Sequence, residues 1–347
     1  MAFGSIFTSS ASGSCRRRAI ETADRRFHEC NDLSYLTIID ALRKNDHSQY
    51  TNRSYEDYMK TDANIYHFPH TVQFPANVPE GKTVMTVHDI IPIVDERTRE
   101  TKPDFCARFA NAVRLLEERP DIPLMADSLS TKKDLITYTK VKEERITVVP
   151  IAYNKDFYYE DRNKAVLEKY GIKQPYLLFL SALDPRKGID VLLHSLRYFE
   201  LRDFQIVLAG APMQEFDVRK VISESPYKES VVMTGYVTND DKRALLSQAE
   251  LFVFPSYYEG FGLPVLEAMA CGTPVITTDA SSLPEVGGDA VVYIKPGDSE
   301  HLAHEIDKLL SDRELRDGYA KKGLKQADTF SWEKTAKMTE EVYRSMI

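Results

Sequence analysis

Short runs of consecutive apolar residues alternate along this chain with longer stretches whose apolar positions recur every three or four residues. "TVMTVHDIIPI" (83–93) reads as a strand rich in β-branched residues, and "RFANAVRLLEERP" (108–120) as a helix that must stop before Pro120. "PLMADSLSTKKDLITYT" gives a strand, a Ser/Asp cap and a helix, and "ERITVVPIAY" a further strand. The second half repeats the rhythm more clearly. "YLLFLSAL" (176–183) is a continuous apolar strand, "GIDVLLHSLRYF" a helix and "FQIVLAG" (204–210) a strand ending in glycine. "SVVMTGYV" is a strand, "NDDKRALLSQA" a helix with Asn239 as its expected N-cap, and "ELFVFPS" a strand. The strands "TPVITTD" and "AVVYI" follow, then two terminal helices. Near-continuous apolar strands between helices are those of parallel sheets covered on both faces, so the expected class is α/β and doubly wound. The first 60 residues are weakly patterned, with a fair strand at 35–39.

A charged stretch, "KDFYYEDRNKAVLEKYGIK" (155–173), separates the two halves. It predicts one domain over 1–165, a second over 166–329, and an amphipathic terminal segment, 330–347, packed down by Trp332, the only tryptophan. The length, 347 residues with 43% apolar and 28% charged, accommodates two domains of ordinary size.

Charge and cysteines narrow the partners. The net charge of −8 argues against nucleic acid. Residues 1–165 carry 24 basic and 25 acidic side chains, and residues 166–347 carry 21 and 28, so the negative excess lies in the second half. The clusters Arg16-Arg17-Arg18 and Arg25-Arg26 read most simply as a solvated helix face. Their functional reading is contact with an anionic acceptor, such as a lipid phosphate at a membrane surface. Cys15, Cys30, Cys106 and Cys271 lack metal-ligand spacing and read as free thiols of a reducing cytosol. No apolar run approaches the roughly 18 residues of a membrane span, and the basic run near the N-terminus follows its weakly apolar part, unlike a secretory signal.

The chemistry concentrates in "SYYEGFGLPVLEAMACGTPVI" (256–276). A buried strand ends here, and open α/β sheets bind ligands beyond the carboxyl ends of their strands. Gly260 and Gly262 allow a ligand close to the backbone, Pro264 suits a first helical turn, and Gly272 a left-handed C-cap. A helix over 264–271 would aim its N-terminal N–H groups at the turn, a setting for a diphosphate. Glu267, expected in the first helical turn, can accept hydrogen bonds from a ribose diol, and Glu259 is left for the sugar end. Singly, each glutamate reads better as a dipole complement or a loop residue; the pair around Gly-Phe-Gly favours the polyol reading. Arg186 and Lys187 stand between a strand and a helix start, where the dipole disfavours cations unless an anion binds there. Fixed cations at that place stabilise charge building on a leaving diphosphate. His88 also ends a strand; alone it is more often structural than functional.

These residues, with "VHDIIP", "ADSLSTKKDL", "LSALDPRKGIDVLL", "TGYV", "SSLPEVGGDAVVYIKPGD" and "FSWEKTA", resemble the retaining glycosyltransferases of the GT-B fold, the group 1 family with an E-x7-E signature, over residues 80–347. The resemblance implies two facing doubly wound domains with a last helix crossing back to the first. It implies Glu259 near the donor sugar, backbone N–H groups of Phe261 and Gly262 on sugar or phosphate with Leu263 beside them, and Glu267 on the ribose. Lys187 and Arg186 would take the diphosphate, Gly235, Tyr236 and Val237 the base, and His88 the donor sugar from the other domain. Ser181-Ala182 stands where many relatives carry Gly-Arg, so Ser181 joins the donor set and Arg186 takes over the arginine's part. "GSIFTSSASGSCRRRA" departs from the family's opening strand and glycine-rich loop.

The implied activity is transfer of a hexosyl unit, mannose favoured and GDP-mannose the leading donor, from a nucleotide diphosphate sugar to a glycan or lipid-linked glycan acceptor, with retention. It implies surface-polysaccharide or glycoconjugate assembly, a cytoplasmic place and peripheral contact with a membrane. No metal or cofactor is expected, because the cations and the helix end cover the phosphates and no Asp-x-Asp motif occurs. A nicotinamide oxidoreductase would need a third glycine that "GFGLPV" lacks. A non-catalytic sugar-nucleotide-binding partner of another transferase is the standing alternative; an epimerase or phosphorylase of the same fold fits less of the pattern.

Overall fold

The computed structural model describes residues 37–38, 64–71, 78–155, 158–200, 203–212, 217–225 and 227–347. The arginine clusters, the "GSIFTSSASGSCRRRA" stretch, Cys15 and Cys30 lie outside these residues. The chain divides into two compact units, Met1–Ala152 with Ser331–Ile347, and Tyr153–Phe330.

Among the described residues of the first unit, a five-stranded sheet has the order β1 (Thr37–Ile38), β2 (Tyr66–Phe68), β3 (Thr83–Val87), β4 (Leu124–Ala126), β5 (Ile146–Val148). Strands β2 to β5 are parallel, and β1 runs antiparallel to β2. Alternation along β3 serves both faces. Met85 and Val87 pack with Phe109, Val113 and Leu116 of helix Pro103–Glu118. Val84 packs on the other face with Ile65, Met125, Val149 and with Val342 and Tyr343 of the last helix, Trp332–Arg344. Ser128 caps helix Leu129–Tyr138, its hydroxyl accepting from the Thr131 N–H at 3.0 Å, as the Ser/Asp signal predicted.

His67 joins the last helix to this sheet. Its Nδ1 lies 2.7 Å from the Tyr343 hydroxyl and its Nε2 2.8 Å from Thr86 Oγ1. Both partners are hydroxyls, which give or accept, so a neutral ring is satisfied in either tautomer. Burial, with the neighbouring His88 charge, lowers the His67 pKa from 6.5 to about 3. A depressed histidine stabilises the fold above its unfolded pKa and loses that contribution as pH falls below about 6.5. Relative to His67→Gln, the parent's unfolding free energy should therefore shrink by about 2 kcal/mol between pH 7.5 and 5.0 in urea titrations. A difference that stays constant with pH would refute the buried neutral ring.

The second unit holds a six-stranded, all-parallel sheet: β6 (Tyr176–Leu180), β7 (Gln205–Ala209), β8 (Val231–Gly235), β9 (Leu251–Phe254), β10 (Val275–Thr278) and β11 (Val292–Ile294). The spatial order is β11-β10-β9-β6-β7-β8. Counted from β6 as first, that is 3-2-1-4-5-6, the order of a dinucleotide-binding (Rossmann) sheet, which reverses direction between β6 and β9. Residues 176–179 and 251–254 are inaccessible to solvent, which is why these strands read as unbroken apolar runs.

Several local expectations need correction. The division falls at 152/153 and not at 165/166. Tyr153 and Tyr158 are buried, and helix Lys164–Tyr170 docks on the second unit through Lys169 Nζ and the Tyr170 hydroxyl, 2.7 and 2.8 Å from Asp241 Oδ2. Thr238, not Asn239, caps helix Asn239–Gln248, accepting from the Asp241 N–H at 3.2 Å. The C-terminal region holds three helices, Ser299–Ser311, Arg313–Ala327 and Trp332–Arg344, because Asp312 ends the first and caps the second. Among the described residues, no helix is long and apolar enough to cross a membrane.

Candidate functional site

The sheet reverses between β6 and β9, and beyond the carboxyl ends at such a reversal is the general ligand position in open α/β sheets. Both segments carrying the candidate residues emerge there. After β6 the chain passes Ser181 and makes a short turn, Pro185–Lys187, capped by Asp184. After β9 it runs through Ser256 to Glu259 and into helix Leu263–Ala270.

The two segments are bonded to each other. The Tyr257 N–H donates to the Arg186 carbonyl at 2.9 Å, and Arg186 Nη1 donates to the Tyr258 carbonyl at 2.6 Å. Lys187 Nζ lies 2.7 Å from each carboxylate oxygen of Glu259, and the Ser256 hydroxyl donates to Glu259 Oε1 at 2.6 Å. Arg186 Nη1 is 3.9 Å from the same oxygen. Glu259 is 7% exposed, and its backbone N–H donates to Ser281 Oγ at 2.8 Å. Ser281 itself has φ +47°, a left-handed conformation unusual for a residue with a side chain. Ser282 secures the same turn: its hydroxyl donates to the Phe261 carbonyl at 2.7 Å and lies 3.0 Å from that of Glu259. Glu259 is therefore held on Lys187, and the unfavourably placed cations have a carboxylate within the chain.

Gly262, at φ +112°, is the N-cap of helix Leu263–Ala270, and Pro264 sits in its first turn as expected. Helix 264–271 was the expectation; the earlier start puts Glu267 at the fifth position, in the second turn. Gly272 follows at φ +76°. The Phe261 ring is buried, edge-on to Phe330 with centroids 5.8 Å apart. Leu263 is half-buried at the helix start. Glu267 is paired: Lys242 Nζ lies 2.9 Å from Oε2 and 3.1 Å from Oε1, and the Tyr158 hydroxyl donates to the same carboxylate.

The remaining candidates sit on other elements of the chain. Gly235, Tyr236 and Val237 stand at the end of β8, separated from β6 by β7; Tyr236 is 71% exposed and Val237 buried. His88 belongs to the first unit. Its Nδ1 is 2.6 Å from Asp127 Oδ2 and its Nε2 2.8 Å from the Pro69 carbonyl. Both partners only accept, so both ring nitrogens donate and the ring is an imidazolium. Burial opposes that charge, but the Asp127 charge and hydrogen bond, with Asp89 and the Pro69 carbonyl, raise the pKa above its ordinary value. Its ring N–H groups are thus engaged within the chain, and a sugar hydroxyl would have to displace the Pro69 carbonyl.

Ser256, Ser281, Tyr158 and Lys242 were not anticipated. Ser256 and Ser281 flank sequence motifs that offered a signal; Tyr158 and Lys242 had none.

Residues 162–326 match the family described as glycosyl transferases group 1. The chain is 32% identical over 303 residues to the "O-antigen chain mannosyltransferase B" of Escherichia coli, covering 84% of this chain and 75% of that protein. It is 31% identical over 289 residues to the "Serotype-specific mannosyltransferase WbdA" of the same organism, covering 80% of this chain and 35% of WbdA, so it spans about a third of that relative's length. The crystal structure of WaaG, "a glycosyltransferase involved in lipopolysaccharide biosynthesis", matches with a TM-score of 0.68 at 20% identity over 96% of both chains. Anabaena Alr3699/HepE, in complex with UDP and glucose, matches with a TM-score of 0.67 at 21% identity over 76% of this chain and 71% of that one. The fold is GT-B, as expected.

Proposed function

The chain belongs to the glycosyl transferases group 1 family, and from that premise we propose that it is a retaining hexosyltransferase. It moves mannose from a nucleotide diphosphate sugar to a hydroxyl of a glycan or lipid-linked glycan during surface-polysaccharide assembly, in the cytoplasm at a membrane face. The observation that carries this reading is the convergence of Arg186, Lys187 and Glu259 where the second sheet reverses, within reach of a helix N-terminus. The relatives named as mannosyltransferases support the choice of hexose.

On this reading the donor diphosphate lies over the N-terminus of helix Leu263–Ala270 and shares Lys187 with Glu259. Lys187 has three protons, so it can bridge carboxylate and phosphate at once. The bond from the anomeric carbon to phosphate breaks while the bond to the acceptor oxygen forms on the same face. The acceptor's proton passes to the departing phosphate oxygen. Lys187 and Arg186 meet the charge that builds there, which is where fixed cations lower a barrier. Glu259 does not attack; held by Ser256, Lys187 and Ser281, it fixes Lys187 and contacts the sugar. No metal is invoked. Gly235, Tyr236 and Val237 border the base, Ser181 the phosphates, and His88 is assigned to the sugar.

Melting the protein with GDP, UDP, dTDP or ADP tests the donor. A nucleotide at a hundredfold excess over its Kd stabilises the folded state by about 2.7 kcal/mol, a rise of several degrees. GDP should give the largest shift. No shift with any of the four would sink the donor reading, and a larger shift with UDP would move the sugar away from mannose.

A further inference from the structure

Glu267, the proposed ribose carboxylate, is gripped from two directions that the family signature does not account for. Lys242 reaches it from helix Asn239–Gln248 and Tyr158 from the segment entering the second unit. The Lys242 ammonium also sits 4.9 Å from the centre of the Tyr158 ring, so the three side chains form one closed group. Lys242 and Glu267 side chains are only 17% and 14% exposed. The buried positions of the helix that carries Lys242 are Asp241, which Lys169 and Tyr170 bind, then Ala244, Leu245, Leu246 and Gln248.

A partly buried lysine–glutamate pair is a poor way to gain stability, because desolvation consumes most of the attraction and apolar side chains of similar size do as well. It does fix orientation. Lys242 bridges both oxygens and the Tyr158 hydroxyl bonds the same carboxylate, which restrains its plane, yet acceptor capacity is left over. A ligand hydroxyl meeting such a group does not have to order it first, and that saving appears directly as affinity.

We infer that Lys242, with Tyr158, is a positioning residue that sets Glu267 in the orientation in which it accepts hydrogen bonds from the ribose hydroxyls of the donor nucleotide. The inference rests on the proposed donor site. Lys242 acts on donor affinity through Glu267 and does not itself touch the donor.

The test is calorimetric titration of the full chain, as parent, Lys242→Met, Lys242→Arg and Glu267→Gln, with GDP and 2′,3′-dideoxy-GDP, and with UDP and its dideoxy form. The base with the higher affinity is scored. Lys242→Met keeps the stem over Tyr158 and removes the charge. It should bind the ribonucleotide about tenfold more weakly while its affinity for the dideoxy form stays within about twofold of the parent's. Lys242→Arg should recover most of the loss. A purely structural role predicts equal weakening of both ligands, or of neither, and either result overturns the inference. If Lys242→Met does not fold, Tyr158→Phe is read by the same criterion. If Glu267→Gln loses no more affinity for the ribose than for the dideoxy form, the ribose assignment of Glu267 fails and the inference with it. Binding of no nucleotide overturns both.

Discussion

Lys187→Ala should lower donor turnover by about two to three orders of magnitude, read as release of nucleoside diphosphate from GDP-mannose. Lys187 is the cation closest to Glu259, and on the proposed reading its loss removes the charge that meets the leaving group. The same change strands a carboxylate that is 7% exposed, with Ser256 still donating at 2.6 Å and Arg186 3.9 Å away. Removing one partner of such a pair costs about 3 kcal/mol. Catalytic and structural losses separate in a double variant. Lys187→Ala with Glu259→Gln removes the stranded charge, so it should regain much of the stability and none of the turnover. Near-normal rates in Lys187→Ala would count against the phosphate assignment, and equal instability of single and double variants would count against the pair.

Gly188→Ala should cost far more than an ordinary glycine-to-alanine change. Gly188 has φ +76°, and a Cβ built there would lie 2.0 Å from the Pro255 carbonyl oxygen and 2.6 Å from its carbon. Neither strand can yield. The Tyr257 N–H donates to the Arg186 carbonyl at 2.9 Å and Arg186 Nη1 to the Tyr258 carbonyl at 2.6 Å, so the segments after β6 and β9 move only together. Left-handed strain and the collision should sum to about 4 kcal/mol, a fall of roughly 10 °C in Tm. Gly171→Ala is the control: φ is +65°, nothing lies within 4 Å of its Cβ, and only the strain of about 1 kcal/mol applies. Similar losses at both positions would mean that backbone conformation, and not the contact with Pro255, governs Gly188.

Most of the second sheet was legible because strands buried on both faces leave unbroken apolar runs, and "YLLFL", "QIVLA" and "LFVF" are β6, β7 and β9. The strand–turn–helix setting of Glu259 was legible for the same reason, together with its glycines and proline. Pairings across the chain were not. Lys187 and Glu259 are 72 positions apart, Lys242 and Glu267 25, and neither spacing carries a period. Thr238 and Asn239 are adjacent and both are good caps, so only backbone geometry chooses between them. A helix start one residue earlier moved Glu267 from the first turn into the second. The stretch from 155 looked like a linker because it is charged. Its Tyr158 is buried against Glu267 and Lys242, which composition does not reveal.

The first unit leaves off at Ala152 and resumes at Ser331, where Val342 and Tyr343 complete one of its apolar clusters. On the ribosome the sheet of that unit is made first and sealed last. Its nascent form must wait, with a greasy flank uncovered, while an uninterrupted Rossmann unit of the same polypeptide emerges and folds ahead of it. Premature termination anywhere before the final helix would strand that flank in water, and such fragments should depend on chaperones or proteolysis.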